Sequence, residues 1–252
     1  MHVMLIKSAQ EIAIMAEAGK KLGRILQELR KEVRPGITTM MLDQLAEKYI
    51  LQSGSKVSFK GYQGYPFTLC ASVNDQVVHA FPNTTPLKEG DIVSLDLGLI
   101  WQGWQADSAI TVPVGKVSKE VEKLIAVTEE SLWKGIEEIK AGNTVGDIGA
   151  AVQEHAERAG YGVVRALTGH GIGRKLHEPP SIPNYGKRHK GMVLQTGMVI
   201  AVEPMITMGD YEVDIDDINW AVTTRDGSLA AHFEHTIAIT DRGHRVLTAA
   251  QN

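Results

Sequence analysis

A single cysteine, Cys70, in 252 residues excludes an intrachain disulfide and fits a reducing compartment. No apolar run approaches the ~20 residues that a membrane-spanning helix needs. The opening MHVMLIKSAQEIAIM has no basic region followed by an apolar core and a cleavage site, so no secretory leader is expected. Basic runs are missing as well, and the net charge is −4. Nothing therefore suggests a nucleic-acid or anionic-membrane partner. Together these absences lead to the expectation of a cytoplasmic protein.

What is present is ordinary in bulk. Apolar residues make up 43% and charged residues 22%, as in globular chains generally. The length allows one large domain or two of about 100–150 residues. Ser8-Ala-Gln-Glu11 has capping-box spacing. It predicts a helix to about Val33, closed by Arg34-Pro35-Gly36. A second helix is expected from Thr38 or Thr39 to just before Gly54, and strands near 67–73, 91–99 and 104–114.

The pattern then restarts. A helix is predicted over 118–140 and another from Thr144 to before Gly160, with strands at 162–166, 198–207, 218–224 and 233–240. Gly36 and Gly54 stand as far apart as Gly142 and Gly160. LKEGDIVSLD (87–96) parallels LQTGMVIAVE (194–203), each an L-x-x-G followed by an alternating strand that ends in a carboxylate. We read one domain over 1–252 with pseudo-repeats at about 8–115 and 118–240, too few copies for a solenoid. The α-α-β-β order predicts an α/β (α+β) fold, with helices on one side of antiparallel strands.

Four acids lie within these predicted strands: Asp96, Asp107, Glu203 and Glu234. Acids are disfavoured in strands and are rarely buried unpaired. Any one alone reads equally as a solvent-facing acid on a half-exposed strand. Four at matched positions call for a shared cation or several arginines. Carboxylates with one imidazole suit manganese, iron(II), cobalt or a catalytic zinc pair, and four carboxylates suit two metals better than one. Three histidines lie in loops that lead into these strands: His79, His177, and His170 between two glycines. His235 reads as a packed core residue, and the role of His232, on the predicted face of Glu234, is open.

The stretches GYPFTLCASVNDQVVHAFP (64–82), DIVSLDLG (91–98), QADSAITVPVG (105–115), GHGIGRKLHEPP (169–180), VEPM (202–205) and HFEHTIAIT (232–240) resemble the short bacterial type of methionine aminopeptidase. The resemblance covers residues from about 60 to 240 and implies the internally duplicated pita-bread fold. It also implies a metallo-hydrolase that removes the N-terminal initiator methionine from nascent proteins and peptides, preferring a small second residue. The implied cofactors are two divalent metal ions (cobalt, manganese, iron(II) or zinc), held by Asp96, Asp107, His170, Glu203 and Glu234. Glu203 is the implied proton shuttle, and His79 and His177 the substrate-side histidines. Phe59, Tyr62, Tyr65, Cys70, Leu176 and Trp220 are the implied methionine pocket. Without the resemblance, Tyr62, Tyr65, Cys70 and Trp220 read as ordinary core. The implied partner is the N-terminal methionine of nascent polypeptides, at the ribosome or free of it, and the family default is a monomer.

The chain departs from the family pattern at Phe59, often cysteine, at Leu176, commonly phenylalanine, at His232, often glutamine, and at Ala106, frequently glycine. None removes a ligand; Phe59 and Leu176 bear on pocket shape, and His232 on the groups that surround Glu234. Two other readings share the fold class. One is an Xaa-Pro peptidase, whose relatives carry an extra N-terminal domain for which a first helix at Ser8 leaves no room. The other is a binding module without catalysis, which would have lost ligands that are all present here.

Overall fold

The computed structural model describes residues 6–216 and 220–249, and its first helix begins at the capping signal of Ser8. Ser8 Oγ accepts the Glu11 N–H at 3.3 Å, and the Glu11 carboxylate accepts the Ser8 N–H at 2.9 Å. The helix α1 (Ala9–Glu32) buries Met15, Leu22, Leu26 and Leu29, one stripe at helical spacing. Helix α2 (Thr39–Gln52) follows, capped by Thr38. The strands of this half are β1 (Lys56–Val57), β2 (Leu69–Val73), β3 (Gln76–Val78), β4 (Ile92–Trp101) and β5 (Trp104–Pro113).

The second half repeats the order with α3 (Lys119–Glu137), α4 (Val145–Arg158), β6 (Gly162–Val163), β7 (Gly169–Gly171), β8 (Glu178–Ile182), β9 (Val199–Val202) and β10 (Met205–Thr207). It continues with β11 (Val213–Ile215), β12 (Val222–Thr224), β13 (Ala230–His232), β14 (His235–Thr240) and β15 (Gly243–Val246). Matched hydrogen bonds accompany the matched order. Gly36 N–H donates to Leu87 O at 2.8 Å, and Gly142 N–H to Leu194 O at 3.0 Å. Gly36, Gly90, Gly142 and Gly197 hold φ of 89°, 95°, 95° and 91°, a left-handed conformation that glycine adopts without a Cβ clash.

Two antiparallel sheets carry the site. In the first, β4 pairs with β5 along one edge and with β2 and β1 along the other. In the second the order is β15-β14-β9-β7-β8. Helices α1 and α2 bury Leu22, Leu26, Leu42 and Ile50 in one core with Val93, Leu95 and Leu97 of β4. In a second core, Leu132 and Ile136 of α3 and Ile148 of α4 meet Ile200, Val202 and Ile237 of the second sheet. Burying each such side chain contributes about 1.5–3 kcal/mol.

The halves are stitched along β5. Ala109 and Glu234 form an antiparallel bridge, with Glu234 N–H donating to Ala109 O at 2.9 Å. Two residues away, Thr236 Oγ1 donates to Asp107 O at 2.7 Å and accepts the Asp107 N–H at 3.1 Å. On the other side, Thr111 Oγ1 donates to His232 O and accepts the His232 N–H, both at 2.8 Å. Across β4–β5, Asp96 stands opposite Ala109. This register brings Asp96 of β4, Asp107 of β5 and Glu234, at the bridge beside β5, onto neighbouring segments of chain.

Several sequence expectations change. The strand predicted over 198–207 is interrupted at Glu203, and the one predicted over 233–240 begins only after Glu234, at His235. β9 stops at Val202, Glu203-Pro204 turns the chain, and β10 joins a different sheet with β13 and β6. Proline has no N–H to continue a ladder, and Pro204 O instead accepts the Phe233 N–H at 3.4 Å. Phe233-Glu234 makes the matching break between β13 and β14. The run predicted at 162–166 shortens to Gly162–Val163, and of 218–224 the strand is Val222–Thr224, with 218 and 219 outside the described residues.

Candidate metal centre and substrate pocket

All thirteen residues singled out for the site line one cavity of about 260 Å³, together with Gln63. The strands around it are buried on both faces. Asp96, Asp107 and Glu234 expose 9%, 4% and 2% of their surface, which removes the solvent-facing reading for these three. Asp96 Oδ1, Asp107 Oδ1 and Glu234 Oε1 have no hydrogen-bond partner among the described residues. Ligand atoms of Asp107, His170 and Glu234 all lie within 4.8 Å of one another. Glu203 joins through His170, whose Nε2 is 3.6 Å from Glu203 Oε1 and 3.8 Å from Asp107 Oδ2.

The imidazole of His170 is oriented by its own strand. Nδ1 lies 2.9 Å from Gly171 O. A carbonyl only accepts, so Nδ1 carries the hydrogen and Nε2 presents a lone pair. Burial, with a smaller contribution from the neighbouring His177 ring, pushes the pKa of His170 down to about 3, so the ring is neutral. A lone pair facing two carboxylates repels both unless a cation lies between them. Burial raises Asp96 to about 7. Burial and mutual repulsion hold Asp107, Glu203 and Glu234 well above the usual carboxylate range. Orphaned carboxylate oxygens, a neutral imidazole with a free lone pair and low solvent access together suit divalent ions with oxygen and nitrogen ligands.

In the sequence, glycines on both sides of His170 read as room for the backbone to approach a metal or ligand; the structure gives them another reason. A Cβ on Gly169 would strike Ala201 O of β9, and one on Gly171 would strike Pro179 O of β8. Close backbone approach on both sides of β7, rather than room for a ligand, requires them.

His177 is set by Tyr62. The phenol oxygen lies 3.0 Å from His177 Nδ1, and the rings meet edge to face at 5.3 Å. With the phenol donating to Nδ1, Nε2 bears the hydrogen and is free to donate. Burial lowers the pKa of His177, which makes it a neutral donor. Sequence reasoning gave Tyr62 only a place in the pocket wall; an aromatic followed by Gln63-Gly64 carries no signal of this pairing. His79 sits at φ 62°, and burial pushes its pKa down to about 4.

The loop bearing Leu176 and His177 is anchored far from its own strand. Glu178 accepts Lys7 Nζ at 2.9 Å and the Lys175 N–H at 3.0 Å. The side chains of the Lys7–Glu178 pair are 2% and 6% exposed. Arg174 stacks on the Trp104 ring at 3.9 Å. None of these anchors was legible in the sequence, because Lys7 and Glu178 are remote in the chain.

The apolar end of the cavity holds Phe59, Tyr65, Cys70, Leu176 and Trp220 in one cluster. Tyr65 O–H faces Leu69 O at 3.0 Å and Ala80 O at 3.2 Å, and its ring meets Trp220 at 5.6 Å. The cavity therefore joins a buried acidic end to an apolar, aromatic end, with His79 and His177 in its wall.

Comparison with known proteins agrees with this geometry. The pattern of metallopeptidase family M24 matches residues 13–241. A methionine aminopeptidase of Clostridium perfringens is 49% identical over 98% of this chain and 99% of its own length. Methionine aminopeptidase 1 of Bacillus subtilis is 46% identical over 98% and 99%. The crystal structure of methionine aminopeptidase from Thermotoga maritima superimposes with a TM-score of 0.95 at 44% identity, covering 97% of this chain and 98% of that one. An Xaa-Pro dipeptidase from Bacillus anthracis shares the fold at TM-score 0.78 and 24% identity, but this chain covers only 63% of it. The chain belongs to metallopeptidase family M24, and within it to the methionine aminopeptidases.

Proposed function

We propose that this protein hydrolyses the first peptide bond of peptides and nascent proteins that begin with methionine, and that it prefers a small second residue. The observation that carries this reading is one cavity with four carboxylates and His170 at one end and an apolar slot at the other. Asp96, Asp107, His170, Glu203 and Glu234 would hold two divalent ions. When bound, such ions supply a nucleophile at neutral pH by acidifying water, and a Lewis acid for the substrate.

The remaining chemistry belongs to the chain. Phe59, Tyr65, Cys70, Leu176 and Trp220 receive the methionine side chain, a flexible thioether suited to an aromatic slot. His177 Nε2–H donates to the carbonyl oxygen as negative charge grows there, and Tyr62 keeps that hydrogen on Nε2. Glu203 takes the proton of the attacking water and delivers it to the leaving amine. His79 faces the scissile nitrogen or the next peptide unit. Manganese, iron(II), cobalt and zinc are all compatible with these donors, and availability selects among them. A monomer acting in the cytoplasm, on chains at or leaving the ribosome, completes the proposal.

The test is a peptide panel with metal-stripped and reconstituted protein. Met-Ala-Ser is expected to be cut only after manganese or cobalt is restored, Met-Leu-Ser poorly, and Ala-Pro-Ser not at all. Cleavage of Ala-Pro-Ser in preference to Met-Ala-Ser would overturn the assignment. His177→Ala is expected to lower kcat by about 10²–10³-fold while metal content is retained; loss of metal would show that His177 is a ligand.

A further inference from the structure

His232 is 2% exposed, and neither ring nitrogen has a hydrogen-bond partner among the described residues. An imidazole always carries at least one N–H, and burying it unpaired costs about 1–3 kcal/mol. Such a group calls for an explanation. Its backbone is fixed: β13 pairs with β10 so that His232 stands opposite Met205, and Thr111 clamps both its N–H and its carbonyl. Thr111 is itself held by Ser94 Oγ at 2.9 Å. The ring is therefore aimed, and what it faces is Glu203. His232 Nε2 lies 3.9 Å from Glu203 Oε2, while His170 Nε2 lies 3.6 Å from Glu203 Oε1. Each oxygen of one carboxylate is thus flanked by a different histidine.

We propose that His232 is a positioning residue for Glu203. Its Nε2–H donates to Oε2 after a closure of about 1 Å to hydrogen-bond distance, and so turns Oε1 toward His170 and the ion site. The sequence pattern had aligned His232 with Glu234 instead. The break at Phe233-Glu234 reverses that expectation, because β13 belongs to the sheet of β10, which begins two residues after Glu203. The proposal rests on Glu203 being a metal ligand. Outer partners that orient ligands are typically worth about 10–100-fold in metal affinity.

The experiment is calorimetric titration of manganese into the metal-free full-length protein, for wild type and three variants, with circular dichroism to establish folding. His232→Gln keeps an N–H donor of similar reach and is expected to bind manganese within about threefold of wild type. His232→Leu fills the site without a donor and is expected to bind about 10–100-fold more weakly, with kcat reduced more than KM is raised. His232→Met replaces it in the comparison if the leucine variant does not fold. Glu203→Ala separates the two ideas. If it binds manganese as wild type does, Glu203 is not a ligand and the underlying reading fails. If it loses manganese while the leucine or methionine variant keeps wild-type affinity, the role given to His232 is wrong and that of Glu203 stands.

Discussion

The two halves of this molecule begin alike and deliver their acids differently. In the first half, Asp96 and Asp107 sit on one uninterrupted hairpin, with β4 and β5 in register from Ile92 opposite Pro113 to Trp101 opposite Trp104. In the second half, Glu203 and Glu234 sit where strands stop and the chain passes to another sheet. A strand fixes a side chain by its pleat; a break can aim one away from the sheet normal. The longer glutamate side chain suits that second geometry, since it must reach the centre from a bend. The difference teaches that two halves with the same opening order of helices can present acids in two ways, from a continuous hairpin and from strand breaks.

That account makes the centre a joint product, and its failure would be large. Asp96→Asn, from the hairpin, and Glu203→Gln, from the break, are each expected to lower metal-dependent cleavage of Met-Ala-Ser to background, with secondary structure unchanged by circular dichroism. Substantial activity in either variant would mean that one half builds the centre alone.

The strut between the halves is the next test. Lys7 precedes α1, and Glu178 follows His177 in the second half. Removing one partner of a buried pair costs about 3–5 kcal/mol. Lys7→Met is expected to lower the urea midpoint accordingly and to reduce kcat, since Glu178 also holds the Lys175 N–H beside Leu176 and His177. Lys7→Met with Glu178→Leu should recover part of the stability but not the rate. An unchanged rate in both would detach this strut from the positioning of His177.

Glycines separate the halves further. In the first half, a Cβ on Gly98 would meet side chains, Phe59 Cε1 at 2.6 Å and Ser58 Cβ at 2.9 Å. In the second, a Cβ on Gly171 would meet the backbone of Pro179 and Glu178. Side chains yield more readily than sheets. Gly171→Ala is expected to lose about 3 kcal/mol, and Gly98→Ala about 1 kcal/mol, by thermal or urea melts. Because Phe59 must move, Gly98→Ala should also raise KM for methionyl peptides. Equal losses would show that both halves are equally rigid around their acids.

The helices follow from local periodicity, caps and spacing, and the four acids of the predicted strands stand out in the same way; the apolar wall of the cavity comes only from the family resemblance, and Gln63, which also lines it, comes from neither. Ser8-x-x-Glu11 marks α1, and the acids Asp96 and Asp107 stand out inside apolar strands. What the sequence could not carry were facts of tertiary register. The split at Glu203 hides within an unbroken β-like run, and the short strand Ala230–His232 before Glu234 has no signal of its own. The Tyr62–His177 pair, the Lys7–Glu178 strut and the aim of His232 each join residues with no local signature. The glycines beside His170 are conspicuous in the sequence, but their reason is not, since the atoms that exclude a Cβ come from β8 and β9.

The smallest expected effect compares equivalent helix caps. Thr38 and Thr144 cap α2 and α4, but three residues on stand Met41 and Asp147. The Asp147 carboxylate accepts the Thr144 N–H at 2.8 Å, the Thr144 hydroxyl at 2.7 Å and the His189 N–H at 3.0 Å. Burial works to raise its pKa, yet these hydrogen bonds outweigh it and hold the group below its usual value. A depressed folded pKa stabilises above the unfolded value of about 3.9 and ceases to do so as pH falls through the folded value. Asp147→Asn is therefore expected to cost about 1 kcal/mol near neutrality, with the gap in urea midpoint closing below about pH 3.9. In the first half, Met41 is exposed and no acid is present, so Met41→Glu should complete a capping box there and add about 0.5 kcal/mol. A pH-independent gap for Asp147→Asn would assign its effect to packing rather than to charge, and no gain from Met41→Glu would mean that the two caps differ in more than that one side chain.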